Sequence, residues 1–380
     1  MVINGGENTV LLEKLCTYFK NTEAMSRITT YNSINHYTIH ICTPIDSLRN
    51  HDDGLHLMTK HEELLEALKD SHLCALPQSA SQMLELSKDP SNGPQEYAKP
   101  ISADLGLSTQ ILRFVNSSFF GFHHKVTSIP LALSLVSVRT IRNFVLWNGL
   151  FTVLPDPHCG PFSIKVLFQD ALRRAVFARI VTERYTKLDS DEAFTCALVQ
   201  DMAIPVLAAK WETEYADMFH KSIFDHVRLS SLEREAMGWD HAYAGAVLAV
   251  RWNLGELISR VVSQHTNNVF HGDTCSASPI VGITALSAFL PKMHDSQWYE
   301  VVPFVDAYQK LFGQKLTDIG SILDKTDAAS SHLTGLINLG AVSKTLSDYW
   351  RESLANLHKT GEDDMMVFEE LLEEYFAAQV

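Results

Sequence analysis

A chain of 380 residues with 46% hydrophobic and 20% charged residues is long enough for two or three domains and apolar enough to bury a core, which excludes a disordered polypeptide. Its formal net charge of −14 argues against general binding to nucleic acid or to an anionic membrane. The six cysteines (Cys16, Cys42, Cys74, Cys159, Cys196, Cys275) form no C-x-x-C pair, which excludes a zinc framework or disulfide scaffold, and the start "MVINGGENTVLLEKL" has no signal-peptide pattern, so a reducing, cytoplasmic location is expected.

Residues 1–72 read as a small α/β unit of unassigned role. Helices over "LLEKLCTYF" (11–19) and "HEELLEALKD" (61–70) flank one β-branched strand, "HYTIHICTPI" (36–45). From residue 73 the helical period takes over. "LPQSASQMLELSKDP" ends in a proline stop. "LGLSTQILRFVNSSFFG" places Leu107, Ile111, Leu112 and Val115 on one face, then closes at Asn116, Ser117 and Gly121. The stretch 126–146 opens on a Thr-Ser cap, carries Pro130 in its first turn, and has a tight helix–turn–helix joint within "LVSVRTIR".

Further helices are predicted over 168–185, 191–211 and 240–267, the last capped by Asp240 and broken at Asn253. Strand signals are nearly absent across 73–272, so this region is expected to be an all-α domain. Residues 273–380 read as a helical extension. Its last segment, 362–378, carries Phe368, Leu371, Leu372 and Tyr375 on an apolar face expected to pack on the chain's own core. "IVGITALSAFL" (280–290) is too short to span a bilayer. The basic groups Arg139 with Arg142, and Arg173 with Arg174 and Arg179, read as solvated faces.

Several motifs occur together in order. Asn116, Ser117, Phe119, Phe120 and Gly121 close one helix. Val126, Thr127, Ser128 and Ile129 open the next, and Arg139, Arg142 and Asn143 follow a joint. Later come Asp240, His241, Gly245, Leu248, Trp252 and Leu254. This set resembles the HDOD family, the HD-related output domains of bacterial signalling proteins, over about 73–272. Two positions depart from the family pattern: Ser137 stands for the Gly of the joint, which implies a looser turn, and Gly255 stands for a Pro. The resemblance implies an HD-like helical domain between the small α/β segment and the helical extension.

HD hydrolases hold a divalent ion with His, His-Asp and Asp ligands, and the ion activates water. Carried onto this chain, the first His falls at Asp170 and the His-Asp pair at Gln200 and Asp201. His265 is the nearest candidate for the last ligand. Gln is a poor substitute for imidazole. Two readings stand. Asp170, Asp201, His241 and His265 form a remodelled metal site, or they are hydrogen-bonded core residues with an Arg partner. The second is the expectation, with no catalytic residue, metal or cofactor. His123 and His124 are expected in an exposed turn, and "NGGENT" (4–9) lacks the Lys of a phosphate loop.

The functional expectation is a non-catalytic regulatory or scaffolding module acting through a signalling protein partner, with no nucleic-acid or membrane target. The alternatives are a divergent HD-type metal-dependent phosphohydrolase and a nucleotide sensor without turnover.

Overall fold

In the computed structural model the described residues are 29–30, 40–41, 60–68, 76–89, 91–116, 120–267, 278–313, 318–336 and 344–360. The strand expected over 36–45 is represented by a two-residue antiparallel pair, β1 (Thr29–Thr30) with β2 (His40–Ile41). The helix expected over 11–19, the 4–9 turn and the apolar segment 362–378 lie outside the described residues. A helix over 60–68 buries Leu64 and Leu68, and the Lys60 carbonyl accepts from Trp239 Nε1 at 3.2 Å.

A helical bundle follows: α1 (Gln78–Leu86), α2 (Pro94–Ala103), α3 (Leu105–Val115), α4 (Ile129–Leu135) and α5 (Val138–Val153). The buried face of α3 is Leu107, Ile111, Phe114 and Val115. Leu112, predicted on that face, is half-buried, because Phe114 stacks on Phe144 of α5 and takes the deeper place. Asn116 ends α3. Its Nδ2 donates to the Leu112 and Val126 carbonyls, and Val126 N–H donates to its Oδ1, all at 2.7 Å. One exposed amide therefore caps the helix and fixes the returning chain. Asn116→Ala should cost about 1–2 kcal/mol, read as a shift of the urea midpoint. An unchanged midpoint would remove this role. Gly121 has φ +62°, which its lack of a side chain permits. Ser117 and Phe119 lie outside the described residues.

The joint between α4 and α5 bends by 119°. Ser137 does not loosen it. Its φ is −56°, ordinary for any residue, and its hydroxyl caps α5 by accepting from Thr140 N–H at 3.0 Å. Asn143 Nδ2 donates to the Asp191 carbonyl at 2.9 Å, and Arg142 contacts Asn143 Oδ1 at 3.4 Å. The Arg-Asn signature thus ties α5 to the start of the next unit.

That unit centres on α6 (Ile164–Tyr185) packed against α7 (Ser190–Val199), with α8 (Ile204–Lys210), α9 (Glu212–Phe224), α10 (Leu229–Met237), α11 (His241–Arg251) and α12 (Glu256–Gln264) around them. The run Ser190–Lys210 is long and apolar enough to cross a membrane by composition, yet 83% of its apolar window is buried inside this fold. Trp252, buried, caps the end of α11, and the chain turns into α12 through Asn253 at φ +55° and Gly255 at φ +103°. The latter is closed to the Pro of the family pattern, whose ring fixes φ near −65°.

Gly245 lets α11 and α12 approach. A Cβ there would lie 2.7 Å from Val262 Cγ1, on a β-branched side chain with little rotamer freedom. Gly245→Ala should therefore cost about 1–3 kcal/mol by overpacking, measured by chemical denaturation. Stability equal to wild type would show that the helices separate freely.

The C-terminal helices are α13 (Pro279–Ser287), α14 (Val301–Phe312), α15 (Asp318–Leu336) and α16 (Leu346–Thr360). α13 and α15 pack on α6, and their apolar residues join the same core as the bundle. Tyr185 OH donates to Asp318 Oδ2 at 2.9 Å, and Tyr308 OH donates to Tyr185 OH at 2.6 Å.

Candidate functional site

α7 stops at Val199 and α8 starts at Ile204, with Pro205 in its first turn, a position where the missing N–H costs no hydrogen bond. The intervening turn separates two adjacent side chains. Gln200 points to α13, where its Nε2 reaches Ser287 Oγ at 3.4 Å, and its Oε1 has no hydrogen-bond partner. Asp201 points the other way, to the floor of a cavity of about 140 Å³.

Two imidazoles meet Asp201 there. His241 opens α11 immediately after Asp240, whose Oδ1 accepts from Tyr243 N–H at 3.0 Å. Its Nδ1 lies 2.6 Å from Glu233 Oε2 of α10, and its Nε2 lies 3.4 Å from Asp201 Oδ1. Glu233 is fully buried. It also accepts from His241 N–H at 2.8 Å and from Tyr215 OH at 2.7 Å. His265 closes α12. Its Nδ1 lies 2.7 Å from the Val262 carbonyl and its Nε2 3.3 Å from Asp201 Oδ1. The other oxygen of Asp201 is paired with Arg174 Nη1.

Burial alone would raise the Asp201 carboxyl, but Arg174 beside it and the two imidazoles hold it well below the usual carboxylate range. Burial disfavours charge on His241 too, yet Glu233 and Asp201 push it up to about 10, so in the ion-free chain it carries a proton at neutral pH. Asp170 is one turn before Arg174 on α6. Burial pushes its carboxyl up to about 6, against the attraction of Arg174 and Arg173. Its Oδ1 accepts from Met293 N–H at 3.0 Å.

The structure thus brings Asp201, His241 and His265 together, with Asp170 linked to them through Arg174, and leaves Gln200 outside the cluster. It also corrects the reading of Arg173 and Arg174 as part of a solvated face, whereas Arg139 is exposed as expected. Arg173 and Arg174 are buried, because α6 is covered on most sides. Arg173 donates to the Pro291 and Lys344 carbonyls at 3.4 and 3.1 Å. Arg139 pairs with Asp189, and Arg179 with Glu183 at 2.9 Å. His123 and His124 are exposed in a bend away from the site. Sequence reasoning missed Glu233. The one signal for it was a carboxylate eight residues before His241, across a helix joint.

The cavity is walled by Phe162, Leu167, Ile204, Phe289 and Trp298, with Arg174, Thr266 and the two imidazoles on its polar side. Residues 288–300, which precede α14, form one wall. Gln200 faces Ser287 and Asp170 binds a backbone amide, so neither joins the cluster at Asp201. Asp201 Oδ1 and the two Nε2 atoms nevertheless lie within 4.8 Å of one another, a donor set that fits one divalent ion.

The HDOD domain model matches residues 73–268. A solved HDOD domain protein of unknown function from Geobacter sulfurreducens is similar at 18% identity, covering 74% of this chain and 99% of its own, with TM-score 0.59. A protein from Marinobacter aquaeolei VT8 assigned to signal transduction is similar at 16% identity, over 74% of this chain and 66% of its own, with TM-score 0.57. A protein from Shewanella amazonensis SB2B assigned as a metal-dependent phosphohydrolase is similar at 17% identity, over 72% of this chain and 99% of its own, with TM-score 0.51. These likenesses are of fold. An uncharacterised protein of Treponema pallidum (strain Nichols) is 24% identical over 259 residues, 66% of this chain. The chain spans about half the length of that curated relative, 48% of it.

Proposed function

We propose, for a chain that belongs to the HDOD family, a regulatory role in bacterial signal transduction without phosphoester hydrolysis. The observation that carries this reading is the direction of Gln200. It stands where an HD hydrolase has its paired His, and its side chain faces α13, so the adjacent-ligand corner of the hydrolytic frame is missing. Two facts support it. Asp170, at the first His position, binds the Met293 amide, and Arg174 neutralises Asp201.

The cavity wall formed by 288–300 supports a signalling output. Met293 is tied to Asp170, the Pro291 carbonyl to Arg173, and Lys292 Nζ to Ser222 Oγ at 3.3 Å. A ligand in the cavity would press on this segment, and the C-terminal helices it leads into would present the change to a protein partner.

The test is an assay of cyclic dinucleotides, nucleoside monophosphates and an aryl phosphate with manganese, magnesium, iron and zinc. No turnover is expected. Metal-dependent turnover that disappears in Asp201→Ala would overturn the proposal. It would favour the second reading, a divergent phosphohydrolase, for which the convergence of Asp201, His241 and His265 beside a cavity speaks.

A further inference from the structure

Asp201, His241 and His265 come from three separate helix ends: the joint of α7 and α8, the start of α11 and the end of α12. All three are buried, and Asp201 Oδ1 with the two Nε2 atoms lie within 4.8 Å of one another. Each residue has its remaining polar atom held by a neighbour. Arg174 holds Asp201 Oδ2, Glu233 Oε2 holds His241 Nδ1 at 2.6 Å, and the Val262 carbonyl holds His265 Nδ1 at 2.7 Å. An acceptor behind Nδ1 fixes the ring and directs Nε2 forward, which is how proteins orient imidazoles toward an ion.

We infer that Asp201, His241 and His265 hold one divalent first-row transition-metal ion, a set that shares Asp201 alone with the HD hydrolase frame. Two imidazoles and one carboxylate suit zinc, iron, manganese or cobalt, whereas magnesium and calcium require mostly oxygen. The two carboxylate–imidazole separations fit as well. With metal–ligand bonds of about 2.0–2.2 Å, donors around a tetrahedral ion lie about 3.3–3.6 Å apart. Asp201 Oδ1 is 3.4 and 3.3 Å from the two Nε2 atoms. The ion replaces any proton that either Nε2 directs at Asp201, and each such proton leaves to solvent. The ion joins three helix ends, so it stabilises the cavity floor whether or not any reaction occurs there.

The test uses the full chain, stripped by a chelator, reloaded with cobalt(II) and dialysed. About one cobalt per chain should remain, with a visible spectrum of nitrogen and oxygen ligation and no thiolate charge-transfer band. Both His265→Ala and Asp201→Asn should lose the bound ion. Glu233→Gln, which changes a residue outside the ligand set, should weaken affinity about 10–100-fold. If those variants do not fold, the wild-type spectrum and a fall in melting temperature on chelation still decide. The inference is overturned if the wild type keeps none of cobalt, zinc, manganese or iron(II), if the folded variants keep the ion as well as wild type, or if a thiolate band appears. Ion retention without phosphoester turnover upholds both this site and the regulatory role. Turnover overturns the regulatory role alone, and failure to retain any ion overturns this site alone.

Discussion

Replacing Arg174 with Met should destabilise the chelator-treated protein by about 3–5 kcal/mol. Arg174 and Asp201 form an ion pair whose side chains are 7% and 10% exposed. Removing the guanidinium leaves a carboxylate in a site where water is scarce, and the low dielectric makes an uncompensated charge expensive. Met preserves most of the volume, so the loss reports charge more than packing. Urea unfolding followed by tryptophan fluorescence measures it, provided the slope of the transition is unchanged. A loss under about 1 kcal/mol, the range of an exposed ion pair, would show that His241 and His265 alone satisfy Asp201.

Asp170→Asn should stabilise the protein at neutral pH and remove part of its pH dependence. Burial raises the Asp170 carboxyl from 3.8 to about 6 in the folded chain. Between those values the folded state binds more protons than the unfolded state, so the contribution of this group to stability falls as pH rises through the interval. Above about pH 7 the loss is complete, at about 3 kcal/mol for 1.36 kcal/mol per pH unit. Asn keeps an acceptor for the Met293 amide and carries no charge to desolvate. The stability difference between variant and wild type should therefore grow from pH 4 to about pH 7 and then level off. Asp201 acts in the opposite sense, since its depressed carboxyl favours the folded state above the usual carboxylate range and that benefit is lost as pH falls. Comparing the two proteins at each pH cancels this term. A difference that stays flat over the whole range would mean that Asp170 titrates as an exposed carboxyl does.

Local signals were sufficient for much of the helical frame. Ser128 and Asp240 cap helices because their side-chain oxygens accept amide protons that the first turn leaves unpaired. Pro130 stands in a first turn, and Asn253 marks a break with positive φ, whereas the helix expected over 191–211 is split between Val199 and Ile204. These features depend on residues a few positions apart, so a linear reading finds them. That Gln200 stands beside Asp201 is equally a local fact.

Tertiary packing decided what the sequence left open. Arg173 and Arg174 look like a charged face in one dimension. They are buried because α7, α13 and α15 pack around α6, and this covering is set by residues far along the chain. The opposite directions of Gln200 and Asp201 follow from the turn between α7 and α8 and from where α13 lies. Asp201, His241 and His265 are separated by 40 and 24 residues, and no spacing rule joins them. They meet because α11 and α12 close tightly over Gly245 and because Glu233 and the Val262 carbonyl turn both rings toward one point. A sequence by itself fixes which groups exist and how each short segment folds. The distances among groups on separate helices are set by side-chain packing in three dimensions, and a buried site is made of those distances.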